Sequence, residues 1–156
     1  MPDALDPPRV SWLAIVLIAL AVVIVAAGLY VRLAPTDPDE WHIAPPAAPP
    51  GDYPAEGAFI AVRTLSEPGA EALSRLDAIA LDTPRTHRLA GSPAEGRITW
   101  ITRSALWGFP DFTTADVAEG RLTIHARLRF GRGDMGVNRK RVEAWLAALE
   151  AGAGGA

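Results

Sequence analysis

The sequence predicts an α+β protein: an N-terminal transmembrane helix, then a small antiparallel sheet packed by two helices. Three observations predict it. Residues 11–31 form an apolar run with no charged residue. Between residues 97 and 130 apolar and polar positions alternate, as strands do. Residues 68–81 and 138–151 carry apolar side chains at helical spacing.

The chain opens on a tail, residues 1–10. Residues 11–31 follow, S-W-L-A-I-V-L-I-A-L-A-V-V-I-V-A-A-G-L-Y-V. A helix of about 20 apolar residues crosses the hydrocarbon core of a bilayer, and a soluble helix of this length is rarely apolar on every face. Trp12 and Tyr30 stand at its ends, where interfacial aromatics belong, and Arg9 and Arg32 flank it. A cleaved signal peptide is the alternative, with Val25-Ala26-Ala27 before a cut at Gly28. Arg9 and the amino terminus outweigh Arg32, which favours a cytoplasmic N-terminus in the inner membrane and a periplasmic C-terminal domain.

Residues 32–54 read as a tether. Pro35, Pro38, Pro45, Pro46, Pro49, Pro50 and Pro54 deny it helix or ladder hydrogen bonds, so it should be extended and semi-rigid. Trp41-His42-Ile43 interrupts it with an apolar patch that needs a packing partner.

The globular domain is expected over residues 55–150, enough chain for one modest core. Gly57 to Leu65 reads as a strand, and Pro68 to Leu81 as a helix with Leu73, Leu76, Ile79 and Ala80 inward. Leu81 to Pro93 reads as a loop. Arg97 to Ser104 alternates as a strand, and Gly108 to Asp111 turns the chain. Phe112 to Ala118 and Arg121 to Phe130 form a hairpin closed at Glu119-Gly120. In its second arm Leu122, Ile124, Ala126, Leu128 and Phe130 share one face, and Thr123, His125, Arg127 and Arg129 the other. Asn138 to Ala151 is an amphipathic helix with Val142, Trp145, Leu146 and Leu149 inward, followed by a flexible tail, residues 151–156.

Net charge is only −3, but it is polarised along the chain. Residues 33–81 hold two cations against eight acids, and residues 82–145 eleven against seven. Arginine dominates the basic half. Its planar fork suits carboxylate and phosphate. The candidate anion- or partner-binding residues are Arg85, Arg103, Arg127, Arg129, Arg132, Asp134, Asn138, Arg139 and Arg141. If Asn138 caps the last helix, then Arg139, Lys140 and Arg141 crowd a terminus whose dipole disfavours cations by roughly 0.3–1 kcal/mol each. Asp134 is the nearest acid to offset them, which would make this stretch a strand-to-helix corner locked by internal ion pairs.

Catalytic signals are thin. With no cysteine there is no thiol nucleophile, disulfide or thiolate metal site. Neither G-x-S-x-G nor G-x-x-x-x-G-K-[ST] occurs. His42, His87 and His125 share no ligand spacing, so no metal or cofactor is assigned. His87 beside Thr86, Ser92 and Asp82 is the one arrangement that suggests a hydrolase. An acidic total, with no aromatics interleaved in the basic run, argues against nucleic acid.

From Arg129 to Arg141 the chain resembles a known family, the domain of unknown function 1499. Arg129, Gly131, Asp134, Gly136, Asn138, Arg139 and Arg141 fall on its C-terminal signature, S-R-x-G-x-x-D-x-G-x-N-R-x-R. Gly108 to Thr114, G-F-P-D-F-T-T, resembles its aromatic-aspartate segment, and Arg32 to His42 resembles the entry of its membrane-anchored alphaproteobacterial branch. Leu128 stands where members carry a small polar residue, and the cysteines of many members are missing. The resemblance implies no activity. The expected role is a non-enzymatic, single-pass domain that contacts the lipid bilayer and a membrane-protein partner, as an accessory or assembly factor. The alternative ligand is an anionic small molecule or lipid headgroup.

Overall fold

The computed structural model describes residues 11–153. The N-terminal tail with Arg9, and residues 154–156, lie outside the described residues. Helix α1 runs Trp12–Leu33, and its first turn is closed by Ser11, whose Oγ accepts from the Ala14 amide at 3.2 Å. It is long and apolar enough to cross a membrane, and its apolar side chains are exposed on all sides.

A short helix, α2 (Pro38–Trp41), follows. Asp37 caps it, accepting from the Asp39 amide at 3.0 Å, and Pro38 sits at its first position, where no N–H is needed. Then come β1 (Gly51–Ala55), β2 (Ala58–Thr64), α3 (Gly69–Asp82) and β3 (Thr86–Ser92). A 3-10 turn at Pro93–Glu95 leads to β4 (Arg97–Arg103), β5 (Pro110–Ala118), β6 (Arg121–Leu128) and α4 (Val137–Ala153). The six strands form one antiparallel sheet in the order β1-β2-β6-β5-β4-β3.

Helices α3 and α4 pack on one face of this sheet. Leu73, Leu76 and Ala80 from α3 meet Val142, Trp145, Leu146 and Leu149 from α4, over Phe59, Ala61, Ile98, Trp100, Leu122, Ile124 and Ala126. Each fully buried aliphatic side chain contributes about 1.5–3 kcal/mol. The two indoles meet edge to face, with Trp100 and Trp145 centroids 5.5 Å apart. Neither leaves its N–H unpaired: Trp100 donates to Asp77 at 2.9 Å and Trp145 to Thr83 Oγ1 at 2.8 Å. Arg88 on β3 pairs with the same Asp77 and ties the edge strand to α3.

The opposite face is also covered, which the sequence reading did not foresee. Thr99, Ile101, Phe112 and Thr114 point away from the helices yet are buried. The cover is the segment expected to be a tether. Trp41 stacks on Phe112 with centroids 3.8 Å apart and planes 15° apart. His42 Nδ1 lies 2.9 Å from Thr99 Oγ1, which is itself 3.0 Å from Thr114 Oγ1. Residues 35–42 are therefore a strap across the sheet rather than a free spacer.

Two more strands exist than expected. The loop expected over Leu81 to Pro93 contains β3, an edge strand whose bulge between Arg88 and Ala90 breaks the alternation. The stretch around Tyr53 and Pro54 is β1, the other edge, where a proline is tolerated. Gly91 on β3 has φ +84°, and a Cβ there would come within 2.1 Å of the Arg97 carbonyl oxygen on β4 and 2.6 Å of His42 Cε1, so the strand pairing first, and then the close approach of the strap, call for glycine.

Candidate anion-binding end of the sheet

One end of the sheet collects most of the candidate residues. The start of β3, the end of β4, the start of β5, the end of β6 and the start of α4 all converge there. The last turns of α1 meet it too. Arg32 donates from Nη2 to the Leu106 carbonyl at 3.2 Å and from Nε to the Trp107 carbonyl at 3.4 Å.

Arg32, Arg85, His87 and Arg103 line a cleft of about 480 Å³ at this end, together with Thr86 and Ser104. Arg85 has a left-handed backbone, φ 61°, which turns the chain from α3 into β3 and aims its side chain back at β4. Its Nε donates to the Arg103 carbonyl at 3.0 Å, while Arg103 Nη1 donates to the Gly108 carbonyl at 3.0 Å. All three guanidiniums thus bond to backbone carbonyls. Among the described residues, none of the three has a carboxylate within ion-pair distance. Burial and then the Arg103 charge hold the His87 pKa below its ordinary value.

Arg127 and Arg129 have different work. Arg127 donates to the Trp41 carbonyl and lies 5.2 Å over its ring. Burial lowers its pKa, and Glu40 opposes that shift. Arg129 donates to Thr36 Oγ1 at 3.0 Å and to the Pro35 carbonyl at 2.6 Å. Arg127 and the signature residue Arg129 together clamp the strap. Arg132 is exposed and borders a second, shallow depression with Glu56 and Gly57.

The remaining candidates build the corner into α4, but not as the sequence suggested. Asp134, not Asn138, caps the helix. Its Oδ1 accepts from the Gly136 amide at 3.0 Å and its Oδ2 from the Asn138 amide at 2.7 Å. Asp134 is thus spent on backbone amides and pairs with neither Arg139 nor Arg141. Arg139 instead reaches Glu143 at 2.7 Å, one turn on, and Arg141 reaches Asp111 at 3.3 Å. Asn138 is fully buried and accepts from Arg141 Nη1 at 2.7 Å. Burial raises the Asp111 pKa, with Arg141 opposing it. One ion pair, Arg141 with Asp111, ties the corner to the sheet in place of the expected pairing with Asp134, while Arg139–Glu143 stays within the helix.

The hydrolase arrangement does not assemble. The Thr86 hydroxyl lies 2.9 Å from Thr102 Oγ1, and the Ser92 hydroxyl donates to Glu95 at 2.9 Å. Among the described residues no cluster of three metal-ligating side chains occurs. Arg32 and the strap residues Trp41 and His42 were missed as site components. Their signals were the apolar patch Trp41-His42-Ile43, which needed a packing partner, and the place of Arg32 at the end of the apolar run.

Fold and site together define a small antiparallel-sheet domain hung from a membrane-length helix, with an arginine-lined cleft where the two meet. The chain belongs to the family described as "Protein of unknown function (DUF1499)", which it matches over residues 2–149. No curated protein matches it. A crystal structure of a DUF4468 family protein from Bacteroides ovatus is similar over 78% of this chain and 97% of that one, at 12% identity and a TM-score of 0.34, and nothing is carried across from it.

Proposed function

We propose that the chain is a single-pass, membrane-anchored, non-enzymatic binding domain, an accessory or assembly component of a membrane complex. Its cleft receives an anionic group of the partner. One observation carries this reading: Arg32, Arg85 and Arg103 converge on one cleft and bond only to carbonyls. Carbonyl partners orient a guanidinium without neutralising it, so its charge stays available to a carboxylate or phosphate. The helix is retained in this reading. A cut at Gly28 would leave Arg32 on a free end and remove part of the surface on which Trp107 rests. The domain lies in the periplasm and the anchor in the inner membrane, by the charge bias of the flanks.

Mild-detergent purification of the full chain, at low and moderate salt, tests the reading. A stoichiometric partner should co-purify with the natural chain and be lost with Arg85→Ala/Arg103→Ala. Recovery of no partner, or equal recovery with both chains, would overturn it. A second reading is favoured by Arg32 alone. Because Arg32 lies in the last turn of α1, the cleft stands at headgroup height in this reading, and a lipid phosphate fits it equally well. Native mass spectrometry would then show an anionic lipid retained by the natural chain and lost by the double variant.

A further inference from the structure

We propose that the loop between β4 and β5, with Met135 beside it, is seated in the lipid interface of the membrane that α1 crosses. This rests on α1 being a span and is independent of what the arginine cleft binds.

The loop is fastened to the helix. Trp107 and Phe109 line an apolar crevice with Ala27, Gly28 and Val31. A Cβ at Gly28 would stand 4.0 Å from the Trp107 ring, so the glycine allows the indole to lie close against the helix. Phe130 joins the contact, with ring centroids 6.4 Å from Tyr30 and 6.2 Å from Phe109. Arg32 then bonds the Leu106 and Trp107 carbonyls.

Depth follows from helix geometry. A 22-residue helix rising about 1.5 Å per residue is close to the roughly 30 Å of a hydrocarbon core. Ala27 to Val31 therefore lie in the last two turns of the span, within the hydrocarbon or at its boundary. A side chain that packs on them shares that depth, whatever the tilt.

The outward surface has the chemistry of an interface. Leu106 is 76% exposed, with Trp107 and Phe109 next to it in the loop also exposed, and Met135, 94% exposed, stands two residues before Val137, which lines a depression with Ser104 and Ala105 of the same loop. Water is a poor solvent for such a cluster, whereas acyl chains accept it. Arg32 bonds the loop and Arg129 lies over Phe130, which meets Phe109, so both cations flank it, with stems long enough to lie along acyl chains and heads at phosphate level. Continuity with α1 and the cationic rim select lipid as the occupant over a second protein.

The chain has no cysteine, so single-cysteine labelling of the full-length protein is available. Leu106→Cys and Met135→Cys would carry an environment-sensitive fluorophore. Glu119→Cys, at the β5–β6 turn on the opposite end of the sheet, is the reference. The protein would sit in nanodiscs of phosphatidylethanolamine and phosphatidylglycerol. Probes at 106 and 135 should be quenched by nitroxide-labelled acyl chains and shielded from iodide, and the probe at 119 should show the reverse. Iodide quenching at 106 and 135 equal to that at 119 would overturn the proposal. So would shielding from iodide without quenching by nitroxide lipid, because a protein surface would then be the cover.

Discussion

Arg127 holds Trp41 in two ways at once: it donates to the indole residue's own carbonyl and lies 5.2 Å from its ring centroid, while the same ring stacks on Phe112, the cross-strand partner of Arg127. The strap is thus held by a cation and an aromatic side by side on the sheet. Trp41→Ala should cost about 2–4 kcal/mol, from lost burial of the ring on Phe112 and a lost cation–π contact. Chemical denaturation of the full chain in micelles checks this. Hydrogen exchange should also rise across β4 and β5, whose strap-side residues Ile101 and Phe112 lose their cover.

Arg141 and Asp111 are a second such pair, with side chains only 10% and 12% exposed. Removing one partner strands a charge in the interior, so Arg141→Ala should cost about 3–5 kcal/mol. Replacing both, as Arg141→Met with Asp111→Leu, should recover most of that loss. A double-mutant cycle on unfolding midpoints measures the difference.

At the start of α4 the two family-signature residues Asp134 and Arg139 should behave unequally. Asp134→Ala removes a side-chain cap and should cost about 1 kcal/mol. Arg139→Ala breaks an exposed pair one helical turn long and should change stability by at most about 0.5 kcal/mol. Equal losses in thermal unfolding would show that Asp134 acts as an ion-pair partner after all.

His125 predicts a pH dependence. Burial, then the neighbouring Arg127 charge, lowers its pKa from 6.5 to about 4. The unfolded chain therefore binds a proton at higher pH than the folded one, and stability rises with pH across this window. The His125 contribution is complete above 6.5 and is lost as pH falls toward about 4. His87 is shifted in the same direction. His125→Asn should accordingly flatten, without abolishing, the fall in urea midpoint between neutral pH and that lower limit.

What the sequence made legible follows from the range of each interaction. Helix α1 is an unbroken apolar run, and helices α3 and α4 and strands β4 to β6 carry regular apolar periodicity; both signals are local, and each of these elements is legible in the sequence. Strand β3 reads T-H-R-L-A-G-S, polar and bulged, because an edge strand has one unpaired side and no need of a strict alternation. Strand β1 is hidden by Gly51 and Pro54 for the same reason. The arginines were visible as residue types, but their partners were not. Arg141 reaches Asp111 across 30 positions and Arg127 reaches Trp41 across 86, and no spacing rule spans such separations. The Asp134 cap was closer to hand. It was misread because Asn138 is also a good capping residue, and only the fold shows that its side chain is buried.

With α1 as a membrane span, the strap also fixes how far from the bilayer the domain can act. Stretched at about 3.1 Å per residue, the chain from Ala34 to Pro54 would let a domain sample roughly 65 Å of depth above the bilayer. Here Arg129 grips Pro35 and Thr36 almost as soon as α1 ends at Leu33. The proline-rich stretch that looks like a long leash is wound back over the sheet and gives no slack. Anything this domain meets must come down to the lipid surface to be met.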